Sequence, residues 1–174
     1  SPAELLDRVI QRQLRLVAQW ISVGFIHGVM NTDNTAISGE TIDYGPCAFM
    51  DGYHPQTVYS SIDAHGRYGY DNQARVIVWN MAQFATTLVP LMPDQDAAIE
   101  DFTIRVHAMP DLIEAERRRL FARKIGIADA AEDDAALVDE LLDLMSEAHA
   151  DFTNTFRGLA TGTARHEFAD PAGF

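Results

Sequence analysis

Between two stretches of helical periodicity lies a segment, Gly28 to Tyr70, that no regular element can span. Asn31, Asp33, Asn34, Gly39, Gly45, Pro46, Gly52, Pro55, Gly66 and Gly69 punctuate it, and such residues favour turns over helix or strand. A compact domain seldom carries so long an irregular segment without a functional reason. Upstream, Leu5, Leu6, Val9, Ile10, Leu14, Val17 and Ile21 recur at three- and four-residue intervals, which predicts an amphipathic helix opened by Ser1-Pro2 and running toward Gly24. Downstream, Asp71-Asn72 are placed to cap a helix through Val76, Ile77, Trp79, Phe84 and Leu88, stopped near Pro90 and Pro93. Three further helices are expected, from about Asp94 to Ala108, Asp111 to Ile125 and Asp133 to Leu159. Ala128 to Ala136 is a short Ala/Asp/Glu-rich connector. Inside the irregular segment there is room only for short strands, Ala36-Ile37-Ser38 and Thr41-Ile42, around a turn at Gly39-Glu40. The expected class is mainly α with one small β-hairpin.

At 174 residues, 47% hydrophobic, the chain has the size of one domain with its own core. Thirteen basic against twenty-six acidic residues leave a net charge of −13, which argues against a nucleic-acid or anionic-membrane surface. Cys47 is the single cysteine, so neither an intrachain disulfide nor a cysteine-based zinc site is expected, and a reducing, cytoplasmic compartment fits. No apolar run approaches a membrane span and no cationic-then-apolar leader opens the chain. The start at Ser1-Pro2, without Met, reads as a piece of a longer protein.

Within the segment, His27, Asn34 and Asp43-Tyr44-Gly45 stand at an informative spacing. A kinase catalytic loop runs H-x-D-x-x-x-x-N, followed by a D-x-G that holds metal over nucleotide phosphates. Here the position of the catalytic Asp holds Val29, while Asn34 and Asp43 keep the two metal-ligand positions. Mg²⁺ takes hard oxygen ligands and keeps several waters, so one Asn and one Asp plus phosphates suffice. The nearest carboxylate able to replace the lost base is Asp33, beside Asn34 on the same loop. On spacing alone the competing reading stays open: a polar loop of Asx turns followed by an ordinary turn.

His27-Gly28-Val29-Met30-Asn31-Thr32-Asp33-Asn34, Thr41-Ile42-Asp43-Tyr44-Gly45-Pro46 and Gly66-Arg67-Tyr68-Gly69-Tyr70-Asp71-Asn72-Gln73 closely resemble the selenoprotein O family, long filed as YdiU-type proteins. The likeness continues through Val78-Trp79-Asn80 and Asp151-Phe152-Thr153-Asn154-Thr155-Phe156-Arg157 and so covers most of the chain. The resemblance implies a protein-kinase-like fold that binds ATP in a flipped orientation and transfers AMP to Ser, Thr or Tyr hydroxyls of proteins. It assigns the proton-acceptor role to Asp33 and the Mg²⁺ (or Mn²⁺) ligand roles to Asn34 and Asp43. The family's N-lobe, with its Gly-rich segment, nucleotide-contacting Lys and phosphate-clamping Arg residues, has no counterpart here: Lys124 is the only lysine. The chain therefore looks like a helical C-lobe alone, and as a fragment it is expected to bind ATP weakly and to be inactive. Two other classes stay open, a phosphotransferase moving the γ-phosphoryl group and a dead pseudokinase that only binds.

Other residues carry plainer expectations. His27 reads as a hydrogen-bonded core histidine, Cys47 as a buried thiol, and Trp20 and Trp79 as core anchors. Arg117, Arg118 and Arg119, with Glu114 and Glu116 nearby, read as a solvated face. Arg67, Tyr68, Tyr70 and Asp71 fit either packing or substrate contact.

Overall fold

The computed structural model describes residues 1–128 and 134–168. Helix α1, Pro2–Ser22, starts from a capping box in which the Glu4 amide donates to Ser1 Oγ at 3.3 Å and the Ser1 amino group donates to Glu4 Oε2 at 2.9 Å. Its apolar stripe, Leu6, Val9, Ile10, Leu14, Val17 and Ile21, is buried against α2, Gln73–Leu88, and α4, Met109–Lys124. The chain leaves α1 through Gly24 at φ 70°, where a Cβ would lie 2.8 Å from the Phe152 ring. A side chain there would be both strained and obstructed.

The one sheet is a pair of two-residue antiparallel strands, β1 Phe25–Ile26 and β2 Ala48–Phe49, in register Phe25 with Phe49 and Ile26 with Ala48. A small antiparallel pair is thus present, but the hairpin expected from Ala36-Ile37-Ser38 and Thr41-Ile42 around Gly39-Glu40 is not. That stretch lies along α1 instead. Gln13 Nε2 donates to the Ala36 carbonyl at 2.5 Å and Trp20 Nε1 to Thr41 Oγ1 at 3.0 Å, and Gly39 sits so close to α1 that a Cβ would meet Arg12 at 2.6 Å. Helix side chains take the place of a ladder, and strands as short as β1 and β2 have no periodicity to read.

Helix α2 begins where expected, but Asn72 does not cap it with its side chain; Asn72 Nδ2 instead donates to the Arg67 carbonyl at 2.5 Å, closing the loop ahead. Helix α3, Gln95–His107, is capped by Asp94, which accepts from the Ala97 amide at 3.1 Å. The long helix expected from Asp133 to Leu159 is two helices, α5 Asp134–Ala148 and α6 Phe152–Thr161; Asp133 and part of the Ala128 to Ala136 connector lie outside the described residues. His149 at φ 50° makes the break. Asp151 caps the new helix by accepting from the Asn154 amide at 2.7 Å. The irregular segment holds the break open: the Phe152 amide donates to the Asp51 carbonyl at 2.7 Å and the Tyr53 amide to the Ala150 carbonyl at 2.8 Å. Tertiary backbone pairing here overrides a continuous helical stripe. Among the described residues no helix is long and apolar enough to cross a membrane.

Trp20 is a core residue, whereas Trp79 is 47% exposed and no anchor of the interior. Arg118 and Arg119 form the expected surface pairs with Glu114 and Glu116. Arg117 departs from that pattern: it is largely buried, bonded to Glu114 and to Asp139 of α5 at 2.8 and 2.9 Å, with its guanidinium over Phe121. Burial alone would raise the Glu114 carboxyl, but hydrogen bonds from Arg117 and Arg118 outweigh it and hold the group below its ordinary 4.5. A depressed carboxyl stabilises the fold above its unfolded value, and the contribution is lost as pH falls through the folded one. Thermal midpoints should therefore decline below about pH 4.5. In Glu114→Gln the decline should be shallower, which a midpoint series from neutral to acid pH checks.

Candidate active site in the loop between the strands

Residues 27–47 connect β1 to β2 and carry Asp33, Asn34 and Asp43. Their frame is His27, fully buried as expected. The Val29 amide donates to His27 Nδ1 at 3.4 Å, so the proton belongs on Nε2, which donates to the Ile42 carbonyl at 2.7 Å. One neutral tautomer satisfies both bonds. From the other side Gln73 of α2 acts as a substitute strand: its Oε1 accepts from the His27 amide and its Nε2 donates to the Phe25 carbonyl, each at 3.0 Å. Gly28, at φ 83°, lies against Pro46, whose Cγ would be 2.9 Å from an added Cβ.

Thr32–Asn34 form a single 3₁₀ turn. Asn34 Nδ2 donates to the Val29 carbonyl at 3.1 Å. Among the described residues no donor is bonded to Asn34 Oδ1, which leaves that oxygen as a ligand atom. Asp33 is exposed and makes no hydrogen bond or ion pair with the described residues. Asp43 is likewise exposed and has φ 54°, a left-handed conformation that Asp tolerates better than most residues and that clusters at functional sites. The Gly45 amide closes a tight turn onto the Asp43 carbonyl at 2.8 Å. A continuous path of bonds thus joins the two turns: Asn34 to Val29, Val29 to His27, and His27 to Ile42, the neighbour of Asp43.

Asn80 of α2 also serves the loop, donating from Nδ2 to the Met30 carbonyl at 3.0 Å and to Thr35 Oγ1 at 2.8 Å. These bonds pin both flanks of the 3₁₀ turn. Neither Gln73 nor Asn80 was singled out from sequence. The available signal was two amides seven residues apart on the helix face shared with Val76 and Ile77, a polar pair on an apolar stripe. Tyr70 is buried, with its hydroxyl donating to the Ile21 carbonyl at 2.6 Å, so it packs. Tyr68 reaches the loop itself, its hydroxyl donating to Asn31 Oδ1. Cys47 is half-buried against the core rather than fully enclosed.

The donor set is one amide oxygen and carboxylates, hard ligands of the kind Mg²⁺ or Mn²⁺ takes. Among the described residues no three His, Cys, Asp or Glu side chains converge as a metal cage. Asn34 Oδ1 and the Asp43 carboxylate are oxygen donors of that kind, and with only two such side chains phosphate and water would have to complete a metal's shell.

A family model described as "Protein adenylyltransferase SelO" matches residues 2–173. The chain belongs to this family. Among its relatives, the "Protein nucleotidyltransferase YdiU" of Ruegeria pomeroyi is 58% identical over 174 residues, 100% of this chain and 37% of the relative. The protein of the same name from Roseobacter denitrificans is 60% identical over 174 residues, again 100% of this chain and 37% of its own length. That of Halalkalibacterium halodurans is 52% identical over 156 residues, 89% of this chain and 32% of its own length. The chain thus spans about a third of the length of these SelO-family relatives.

Proposed function

We propose that this chain is the kinase-like C-lobe of a protein adenylyltransferase that moves AMP from ATP to Ser, Thr or Tyr hydroxyls of other proteins. The observation that carries the reading is the His27-centred path of bonds that ties the Asn34 turn to the Asp43 turn, with Val29 where a kinase has its base. In this reading Asn34 and Asp43 hold Mg²⁺ or Mn²⁺, which when bound offsets negative charge on the phosphate oxygens. Asp33 accepts the proton of the acceptor hydroxyl. The hydroxyl oxygen forms a bond to the α-phosphorus as the bond to pyrophosphate breaks. Protein-to-AMP linkage and free pyrophosphate are the products. The lone Cys47 fits a cytoplasmic setting.

Parallel incubations of protein at the relatives' full length with α-³²P and γ-³²P ATP test this. Label transferred only from the α position is the expected outcome. Label only from γ would make the protein a phosphotransferase, and none from either would make it a binding module.

A further inference from the structure

A groove of about 910 Å³ runs beside the loop, walled by Val29 and Asn31 on one side and by Arg67, Tyr68, Arg75 and Trp79 on the other. Val29, which occupies the kinase base position, is part of its lining. Whatever lies in it therefore lies next to the chemistry.

Two features of its charge stand out against a chain of net charge −13. First, neither Arg67 nor Arg75 is ion-paired: the arginine bridges among the described residues belong to Arg105, Arg117, Arg118 and Arg119. Second, the groove's own carboxylate, Asp63, faces backbone donors, accepting from the amides of Arg67 at 2.9 Å and Tyr68 at 2.8 Å. His65 also lies on the groove wall. The Arg67 guanidinium is held over aromatic faces, 5.0 Å from the Trp79 centroid and 5.7 Å from that of Tyr68. Stacking of this kind fixes the plane while leaving N–H edges for a planar anion. Tyr68 is bonded in turn to Asn31, so this cation is coupled to the catalytic loop.

We propose that this groove receives the acceptor segment of the protein substrate and that Arg67 and Arg75 select segments carrying Asp or Glu close to the modified hydroxyl. The inference rests on the adenylyltransferase reading and names its substrate class. A carboxylate meets a bidentate donor in Arg67, exposed but oriented by the two aromatic rings, and a second exposed cation in Arg75. A Lys-flanked acceptor meets two like charges.

The test uses protein at the relatives' full length, α-³²P ATP, and two peptides with the same acceptor hydroxyl, one flanked by Glu and one by Gln. The wild type is expected to favour the Glu peptide in kcat/KM by at least about tenfold. Arg75→Gln should bring the ratio toward one, and Arg75→Glu should reverse it. Label transfer with no charge preference in the wild type would overturn this proposal alone, as would a ratio that survives in the Arg67→Gln, Arg75→Gln double variant. A raised KM for ATP in these variants would also overturn it, by assigning the arginines to the nucleotide phosphates. No α-label in any acceptor would overturn the adenylyltransferase reading together with it.

Discussion

Asp33→Ala, in protein of the relatives' full length, is expected to lower AMP transfer by about 10²- to 10⁴-fold, the range a positioned general base contributes. Its stability should stay within about 0.5 kcal/mol of wild type, because the side chain is exposed and makes no bond that folding depends on. Asp33→Asn is the sharper control. It keeps the shape and removes the basicity, so it should fall nearly as far as the alanine variant. Both effects are read by initial rates with α-³²P ATP beside a thermal melt. Transfer at the wild-type rate in both variants would remove Asp33 from the chemistry and return attention to Asp43, another exposed carboxylate of the loop. A large fall in melting temperature would instead mean that Asp33 supports the 3₁₀ turn, a role the structure gives to Asn34 and Asn80.

What could be read from the sequence follows a physical division. Helix α1 was legible because one stripe of apolar residues and one capping box act within the same short stretch of chain. His27 was legible as a buried, hydrogen-bonded residue because its spacing to Asn34 and Asp43 marks a loop whose two turns need a common support. The strands were not, since Phe25–Ile26 and Ala48–Phe49 are defined by each other and by Gln73, which lies 46 residues after His27. The break in the last helix was hidden for the same reason: Ala150 and Phe152 bond to Tyr53 and Asp51, about a hundred positions earlier in the chain. Trp79 was misread because burial was inferred from residue type, while its place on α2 faces the groove where Arg67 stacks on it.

Phe152→Ala is expected to cost about 3–5 kcal/mol, a large share of the total for any domain. The ring is buried at the start of α6 among Tyr53, Tyr70, Phe121 and Phe156, with centroids 5.1 to 6.4 Å away, and Lys124 Nζ lies 5.1 Å from its centroid. The ring also lies close enough to Gly24 that a Cβ there would be 2.8 Å from it, at the point where α1 hands the chain to β1 and where the Gly24 carbonyl accepts from the Met50 amide at 2.8 Å. The ring therefore braces the hairpin from which the candidate site hangs. Gly24→Ala should be destabilising for two separable reasons, a left-handed φ and a Cβ forced to 2.8 Å from the ring. Removing the ring relieves only the second. In the double variant the cost should fall short of the sum of the single costs by about 1 kcal/mol or more, measured by chemical denaturation of all four proteins. Strict additivity would mean that the backbone moves away from the ring when Gly24 is replaced, and the brace between α6 and the site would then be slack.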